Sequence, residues 1–213
     1  MDIAKIKQSP VVKKIIIIFV VLLVVASLVS TIIISENFLN RESFLKNEKS
    51  AQLITVDLAS KEHINWLKTK AEEVKADNIS ALFLKNKSTS HSYMILLHSL
   101  TTEKSDMASY AYHFYDLGFN VYIPDYMSNK ISLGVEEQKS VVELVNYILK
   151  ADSKANVFIF GIGIGGATAL LSSDDLKQDN VKGIISDSAY SDVKEVFKEN
   201  IREKKRKREK TRV

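Results

Sequence analysis

The longest apolar run of the chain lies near its start. Residues Ile15–Ile34 (IIIIFVVLLVVASLVSTIII) contain no charged residue and no helix breaker. A helix of roughly 20 residues, rising about 1.5 Å per residue, crosses the ~30 Å hydrocarbon core of a bilayer. The run exceeds the roughly 7–15 apolar residues of a cleaved signal peptide, and no A-x-A pattern follows it. Nor does it carry the polar stripe of a buried core helix. The pattern predicts an uncleaved membrane anchor, a signal anchor, over residues 15–35.

The charges on either side of this anchor predict its orientation. Several cations precede it, whereas Arg41 is the only nearby cation that follows. Cytoplasmic flanks are enriched in Lys and Arg. We therefore expect residues 1–14 in the cytoplasm and the rest of the chain outside a cell membrane that it crosses once. The preceding cations are Lys5, Lys7, Lys13 and Lys14.

Beyond the anchor, strand-like and helix-like patterns alternate. Residues 36–71 are polar with scattered apolar positions and predict a helical juxtamembrane linker. Residues 72–200 then predict an α/β domain with a mostly parallel sheet of five or six strands, flanked by helices. Short apolar runs predict strands at Ser80–Lys85, Tyr93–Leu97, Phe119–Ile123, Asn156–Phe160 and Val181–Ile185. Helical spacing predicts helices at Asp106–Leu117, ending at Gly118, at Glu136–Lys150, and from Gly166 to Ser172.

Composition excludes some classes of function. The chain has no cysteine, which rules out disulfides, thiolate metal sites and a cysteine nucleophile, and we predict neither a metal nor a cofactor. The net charge of +4 arises in the basic tail, residues 201–213, where eight Lys or Arg face two Glu. The basic balance therefore describes a tail rather than a nucleic-acid-binding surface.

Three interpretations of the basic tail stay open. It is a solvated extension of the last helix, or it contacts an anionic lipid or wall polymer outside the membrane. Alternatively, it results from premature termination or a shifted reading frame. The sequence names no protein partner.

Four short motifs occur in a suggestive order. The strand Tyr93–Leu97 runs directly into His98-Ser99, and Phe119–Asp125 (FNVYIPD) is followed by the segment Met127–Ser132. Further on, Phe160–Thr168 (FGIGIGGAT) joins a strand to a helix, and Val181–Val193 (VKGIISDSAYSDV) follows. Taken together, these motifs resemble the α/β-hydrolase superfamily over residues 72–197. They are most similar to membrane-anchored bacterial serine hydrolases of the esterase or aminopeptidase type, and the resemblance implies an incomplete C-terminal end.

The resemblance assigns positions to a degenerate catalytic site. In the family's G-x-S-x-G-G-A-T motif the nucleophilic serine stands in a tight turn, the nucleophile elbow, between strand and helix. Gly163 occupies that position here. The other elbow positions are Gly161, Gly165 and Gly166, and the oxyanion-loop positions are His98, Ser99, Leu100 and Ile164.

These substitutions predict a pseudoenzyme. Glycine tolerates the strained backbone of an elbow, so we expect the turn to persist, but Gly163 has no hydroxyl to form an acyl-enzyme. Ser99 adds a Cβ where the family has glycine. The triad order of this fold also puts its histidine after the nucleophile, whereas the chain's four histidines all precede Gly163.

Two other functions remain as alternatives. The first is an active hydrolase with an unorthodox nucleophile, for which Ser132, Ser172 and Ser173 are the candidates. The second is a dinucleotide-binding module, because GIGIGG also fits G-x-G-x-x-G and Asp187 follows at the distance of a ribose-binding acid. We interpret His98 as a loop histidine bonded to backbone, and Asp125 and Asp187 as loop and strand-end residues.

Overall fold

The N-terminal apolar run forms one long helix. Helix α1 spans Pro10–Leu39 in a computed structural model. The structure describes residues 10–39, 59–76, 79–87, 89–127, 132–176, 179–192 and the single positions 194, 198, 202 and 206. Its segment Lys13–Ile34 is long and apolar enough to cross a membrane, and none of it is buried. The predicted segment 1–9, most of the linker and nearly all of the basic tail lie outside the described residues.

A six-stranded mixed sheet forms the body of the domain. Its order is β1-β2-β4-β3-β5-β6, in which β2 runs antiparallel to both β1 and β4, whereas β4, β3, β5 and β6 are parallel to one another. This confirms the predicted α/β fold. The strands span Glu72–Ala76 (β1), Ile79–Leu84 (β2), Ser92–Leu97 (β3), Asn120–Pro124 (β4), Asn156–Ile162 (β5) and Val181–Asp187 (β6).

Strand β1 is the element that the hydrophobic pattern does not predict. Its sequence EEVKA carries three charges, and most of its side chains are exposed. It forms an edge of the sheet and pairs only with β2, as Glu72 faces Phe83 and Ala76 faces Ile79. Charged side chains on an edge strand discourage pairing with another chain, so this strand lacks the apolar run by which buried strands are recognised.

Helices cover both faces of the sheet. Two of them, α2 (Lys61–Lys70) and α3 (Ala108–Asp116), lie on one face, and a 3-10 turn at Lys104–Met107 leads into α3. The other two, α4 (Glu137–Ala151) and α5 (Ile164–Leu171), lie on the opposite face. Alternate residues of β3 serve the two cores: Met94 and Leu96 face α2 and α3, whereas Ile95 and Leu97 face α4.

Helix α2 lies in the predicted linker segment and packs on the domain. Ser60 caps its N-terminus by accepting a hydrogen bond from the His63 N–H at 3.1 Å. Leu67 is only 2% exposed and lies in the same core as Met107 and Ala111. Removing a buried leucine side chain costs about 2–5 kcal/mol of folding free energy, so α2 is an integral wall of the structure.

Candidate functional site

A sharp turn joins β5 to α5 at Gly163. The residue has φ +57° and ψ −117°, a conformation that side-chain-bearing residues rarely adopt. Its N–H donates to the Asp187 carbonyl at the end of β6 (2.8 Å), and its carbonyl accepts from the Ala167 N–H (3.1 Å). The tight turn predicted from the sequence is therefore present, and it is tied to the neighbouring strand.

Three glycines allow α5 to pack against the sheet. A Cβ on Gly161 would lie 2.3 Å from the Gly165 carbonyl, and one on Gly165 would lie 2.4 Å from the Leu97 carbonyl. A Cβ on Gly166 would meet the Ser186 hydroxyl at 2.5 Å. All three distances are well below van der Waals contact. Glycine at these positions is thus a packing requirement of the strand–turn–helix unit.

The loop after β3 is held rigidly beside this turn. His98 is 1% exposed, and its Nδ1 lies 2.9 Å from the Ser99 carbonyl. The Tyr126 hydroxyl donates to the His98 carbonyl at 2.5 Å, and the Ser99 N–H donates to Thr102 Oγ1 at 2.8 Å. His98 therefore lies in the loop with its Nδ1 bonded to backbone.

Ser99 stands directly against the nucleophile position. A Cβ on Gly163 would lie 2.8 Å from Ser99 Oγ and 3.6 Å from Ser99 Cβ. The space in which a side chain at position 163 would begin is therefore taken by the side chain that replaces the family's oxyanion-loop glycine.

Apolar side chains gather at the remaining predicted oxyanion positions. Leu100 and Ile164 are 8% and 4% exposed and pack together in a small cluster. Met127, Leu133 and Tyr190 pack against them. The Tyr190 hydroxyl donates to the Leu133 carbonyl at 2.6 Å, and burial raises the pKa of this hydroxyl to about 12, with the charge of Glu137 adding to the effect.

A buried carboxylate organises the loop that carries Leu133. Glu137 is 3% exposed and accepts hydrogen bonds from the N–H groups of Ser132 and Gly134, both at 2.9 Å. It also accepts the Ser132 hydroxyl. Of the predicted segment Met127–Ser132, residues 128–131 lie outside the described part of the chain. Sequence reasoning assigned Glu137 only to a helix, because the partners of a buried acid cannot be read from periodicity.

Each candidate replacement nucleophile has a structural hydrogen bond. The Ser132 hydroxyl is bonded to Glu137, the Ser172 hydroxyl donates to the Ala169 carbonyl at 2.7 Å, and the Ser173 hydroxyl donates to the Leu170 carbonyl at 2.6 Å. The last two bonds close the end of α5. Ser172 and Ser173 donate only to backbone carbonyls in these bonds, whereas the Glu137 carboxylate that accepts the Ser132 hydroxyl also accepts two backbone N–H groups and holds the loop.

The two aspartates lie where the sequence interpretation put them. Asp125 follows β4, where its N–H donates to the Ser80 carbonyl at 2.7 Å, and its side chain is about half exposed. Asp187 ends β6 with an exposed side chain that accepts the Ser188 hydroxyl at 2.8 Å. They occupy different loops, one after β4 and one after β6.

One serine–histidine pair was missed by sequence reasoning. Ser109 Oγ lies 2.8 Å from His63 Nδ1 and also accepts the Ser60 N–H at 3.2 Å. The His63 ring stacks on Tyr112 with ring centres 4.4 Å apart. The two residues lie 46 positions apart in the sequence, and their contact joins the start of α2 to α3.

The geometry also bears on the dinucleotide alternative. In such modules the diphosphate lies against the glycine-rich turn and the N-terminus of the following helix. Here Ser99 lies beside the turn, because a Cβ on Gly163 would be 2.8 Å from its Oγ. The side chain of Ser99 narrows the space next to Gly163, and the dinucleotide alternative stays a prediction.

Known proteins resemble the chain in fold. No protein-family model and no curated protein matches the sequence. A CIB-like hydrolase from Thermoplasma acidophilum is 24% identical with a TM-score of 0.43, over 56% of this chain and 62% of that one. The esterase Pf2001 from Pyrococcus furiosus is 18% identical with a TM-score of 0.49, over 56% and 51%. The α/β serine hydrolase XC6422 from Xanthomonas campestris is 16% identical with a TM-score of 0.44, over 51% and 58%.

The fold is assigned from the geometry of the chain itself. In its mixed sheet, the parallel strand β5 ends in a strained turn at Gly163, which begins α5 beside the loop that follows β3. The fold is α/β-hydrolase-like. The chain spans between 51% and 62% of the length of the three solved structures. The α/β-hydrolase-like domain thus carries the mixed sheet and, beside the loop after β3, a strained turn at Gly163.

Proposed function

We propose that this chain is a non-catalytic α/β-hydrolase-like module that binds rather than hydrolyses a small molecule, and that a single N-terminal helix anchors it in a membrane. The observation that carries the proposal is Gly163, which occupies the elbow with the backbone of a nucleophile and no side chain. Covalent catalysis requires a nucleophilic side chain at this point, which glycine lacks. Losing the nucleophile of such a site costs several orders of magnitude in rate.

The surroundings of the elbow support the same conclusion. Ser99 fills the space beside position 163, and Leu100 and Ile164 are buried among apolar neighbours. The hydroxyls of Ser132, Ser172 and Ser173 are engaged in structural hydrogen bonds. These contacts give each of the three hydroxyls a structural role, and among the described residues none of the three belongs to a serine–histidine pair.

Labelling with a fluorophosphonate probe tests the lack of catalysis. The chain, in detergent, is incubated with the probe beside an esterase of the same fold as the positive control. We expect labelling of the esterase and none of this chain. Covalent labelling of any serine in the native but not the heat-denatured chain would refute the proposal. Peptide mapping would then distinguish Ser109, which faces His63, from the serines near the elbow.

The anchor and its orientation are part of the proposal. Support comes from the exposed apolar segment Lys13–Ile34 and from the cations that precede it. We expect the protein to remain in the membrane fraction after alkaline carbonate extraction, and the domain to be digested by protease added outside intact cells. Release by carbonate would contradict the anchor, and protection from external protease would contradict the orientation.

A further inference from the structure

A cavity lies beside His98, in the loop that follows β3. The cavity, of about 500 Å³, opens between α2, strand β2, the 3-10 turn before α3 and the loop that follows β4. Small-molecule sites usually enclose about 300–1,000 Å³. It adjoins His98 and Asp125, which follow the carboxyl ends of β3 and β4, where α/β sheets commonly bind ligands.

One wall of the cavity is aliphatic. Helix α2 contributes Ile64 and Leu67, Ala71 follows its last residue, and strand β2 contributes Leu82. Leu67 is anchored in the core below, so this wall has a defined position. A branched aliphatic group could bury its surface here, which stabilises a complex by about 25 cal/mol per Å² of apolar surface removed from water.

A lysine with a partly buried side chain also lines the cavity. The side chain of Lys104 is 22% exposed, and its Nζ lies 3.6 Å from Asp125 Oδ2 and 3.9 Å from Glu73 Oε1. Direct hydrogen bonds between an ammonium and a carboxylate are about 2.7–2.9 Å long. The two carboxylates therefore hold Lys104 electrostatically but leave room for a further oxygen to bind its N–H groups.

The charges lining the cavity are balanced. Two cations, Lys68 and Lys104, stand with two anions, Glu103 and Asp125. A purely anionic ligand would be repelled by the carboxylates, and a purely cationic ligand by the ammonium groups. A ligand that carries both charges can pair with both sets.

We propose that this cavity binds a small zwitterion with an aliphatic side chain, the simplest being a free aliphatic α-amino acid. Its carboxylate binds Lys104, its ammonium lies against Asp125 and Glu103, and its side chain packs on Ile64 and Leu82. The inference deepens the proposed binding function and rests on it.

Calorimetric titration of the 213-residue chain in detergent with L-leucine tests the site. Leucinamide lacks the carboxylate and 4-methylpentanoate lacks the ammonium group, so each removes one of the proposed charge contacts. We expect saturable leucine binding and an affinity at least about tenfold weaker for each of the two analogues, because each lacks one of the two charged groups that the site would bind.

Variants locate the site. Lys104→Met should weaken leucine binding by about tenfold or more, since it removes the ammonium that receives the carboxylate. Lys139→Met is the matched control, because Lys139 is 69% exposed on α4 and pairs with Glu136. Leucine affinity should be unchanged in this control.

Each result bears on the proposal. Absence of saturable leucine binding up to ~10 mM, which corresponds to a negligible affinity, would overturn it. So would equally tight binding of 4-methylpentanoate, or unaltered leucine binding by Lys104→Met. The analogue comparison uses the unaltered chain and does not depend on the folding of any variant. If the chain is labelled by the fluorophosphonate and also binds leucine, only the non-catalytic proposal is refuted. If the chain is not labelled and does not bind leucine, only the proposed ligand is refuted.

Discussion

Ser99 lies against Gly163 at the turn between β5 and α5: a Cβ on Gly163 would lie 2.8 Å from Ser99 Oγ. The residue that replaces the oxyanion-loop glycine thus stands in the space of a side chain that residue 163 does not have. The two positions are complementary, because the absence of one side chain accommodates the other. This relationship predicts how the site responds to restoring the serine.

Gly163→Ser should destabilise the domain without creating an esterase. The φ of +57° and the contact with Ser99 both oppose a side chain, and such strain costs about 1–3 kcal/mol. Denaturant unfolding should show this loss, and adding Ser99→Gly should recover part of it. Neither variant should hydrolyse a p-nitrophenyl ester above background, because neither change places a base beside the new hydroxyl. Ester hydrolysis by the single variant would show that a base is present.

Gly165→Ala should be far more damaging than Gly183→Ala. A Cβ on Gly165 would lie 2.4 Å from the Leu97 carbonyl, and backbone cannot move aside as a flexible side chain can. We expect a loss of about 3 kcal/mol or more in the free energy of unfolding. A Cβ on Gly183 would make ordinary contact with the Phe158 ring at 3.5 Å, so this control should change stability by less than about 1 kcal/mol. Equal effects would contradict the packing of α5 against the β3 loop.

Glu137→Gln should destabilise the loop that carries Leu133. The carboxylate accepts the N–H groups of Ser132 and Gly134, and an amide in its place must turn a donor towards one of its partners. Leaving a buried polar group unpaired costs about 1–3 kcal/mol. Glu136→Gln is the control, since this exposed side chain makes a surface ion pair with Lys139, worth less than about 1 kcal/mol. Thermal melts should show a lower melting temperature for Glu137→Gln than for Glu136→Gln. Equal or reversed melting temperatures would contradict the role given to the buried carboxylate.

Asp152→Asn should lower stability at neutral pH but not in acid. The His91 hydrogen bond at 2.6 Å is the main cause that holds the pKa of Asp152 below its usual value, although burial opposes it. A carboxyl with a depressed folded-state pKa contributes stability above its unfolded pKa, and this contribution disappears as pH falls through the folded value. The melting temperature should therefore fall by roughly 2–5 °C at pH 6, and the difference should shrink below about pH 4.

Asp116→Asn is the control for that pH series, because Asp116 is an exposed residue of α3. Its melting temperature should follow that of the unaltered chain at every pH. A difference for Asp152→Asn that persists unchanged in acid would show that the side chain acts through packing rather than through its charge.

The buried strands were predictable because their environment is simple. Strand β3 is enclosed on both faces, so its sequence is continuously apolar, and the predicted Tyr93–Leu97 differs by one residue from the observed Ser92–Leu97. Strand β1 lies at an edge with most side chains in solvent, and its sequence EEVKA contains no such signal. Helix α2 was predicted only as part of a linker, because its packing depends on contact with α3, more than thirty residues away.

The sequence by itself determined the long apolar segment, the alternation of strands and helices, and the absence of a hydroxyl at position 163. These properties are local: each follows from residue types within a few positions of one another. Only the tertiary structure decided that Ser99 crowds Gly163, that Glu137 binds the Ser132–Gly134 loop, and that Lys104 faces a cavity closed by α2. Such contacts join residues distant in the chain. They depend on the order in which strands pair and on where glycine lets backbones approach, which no local pattern encodes.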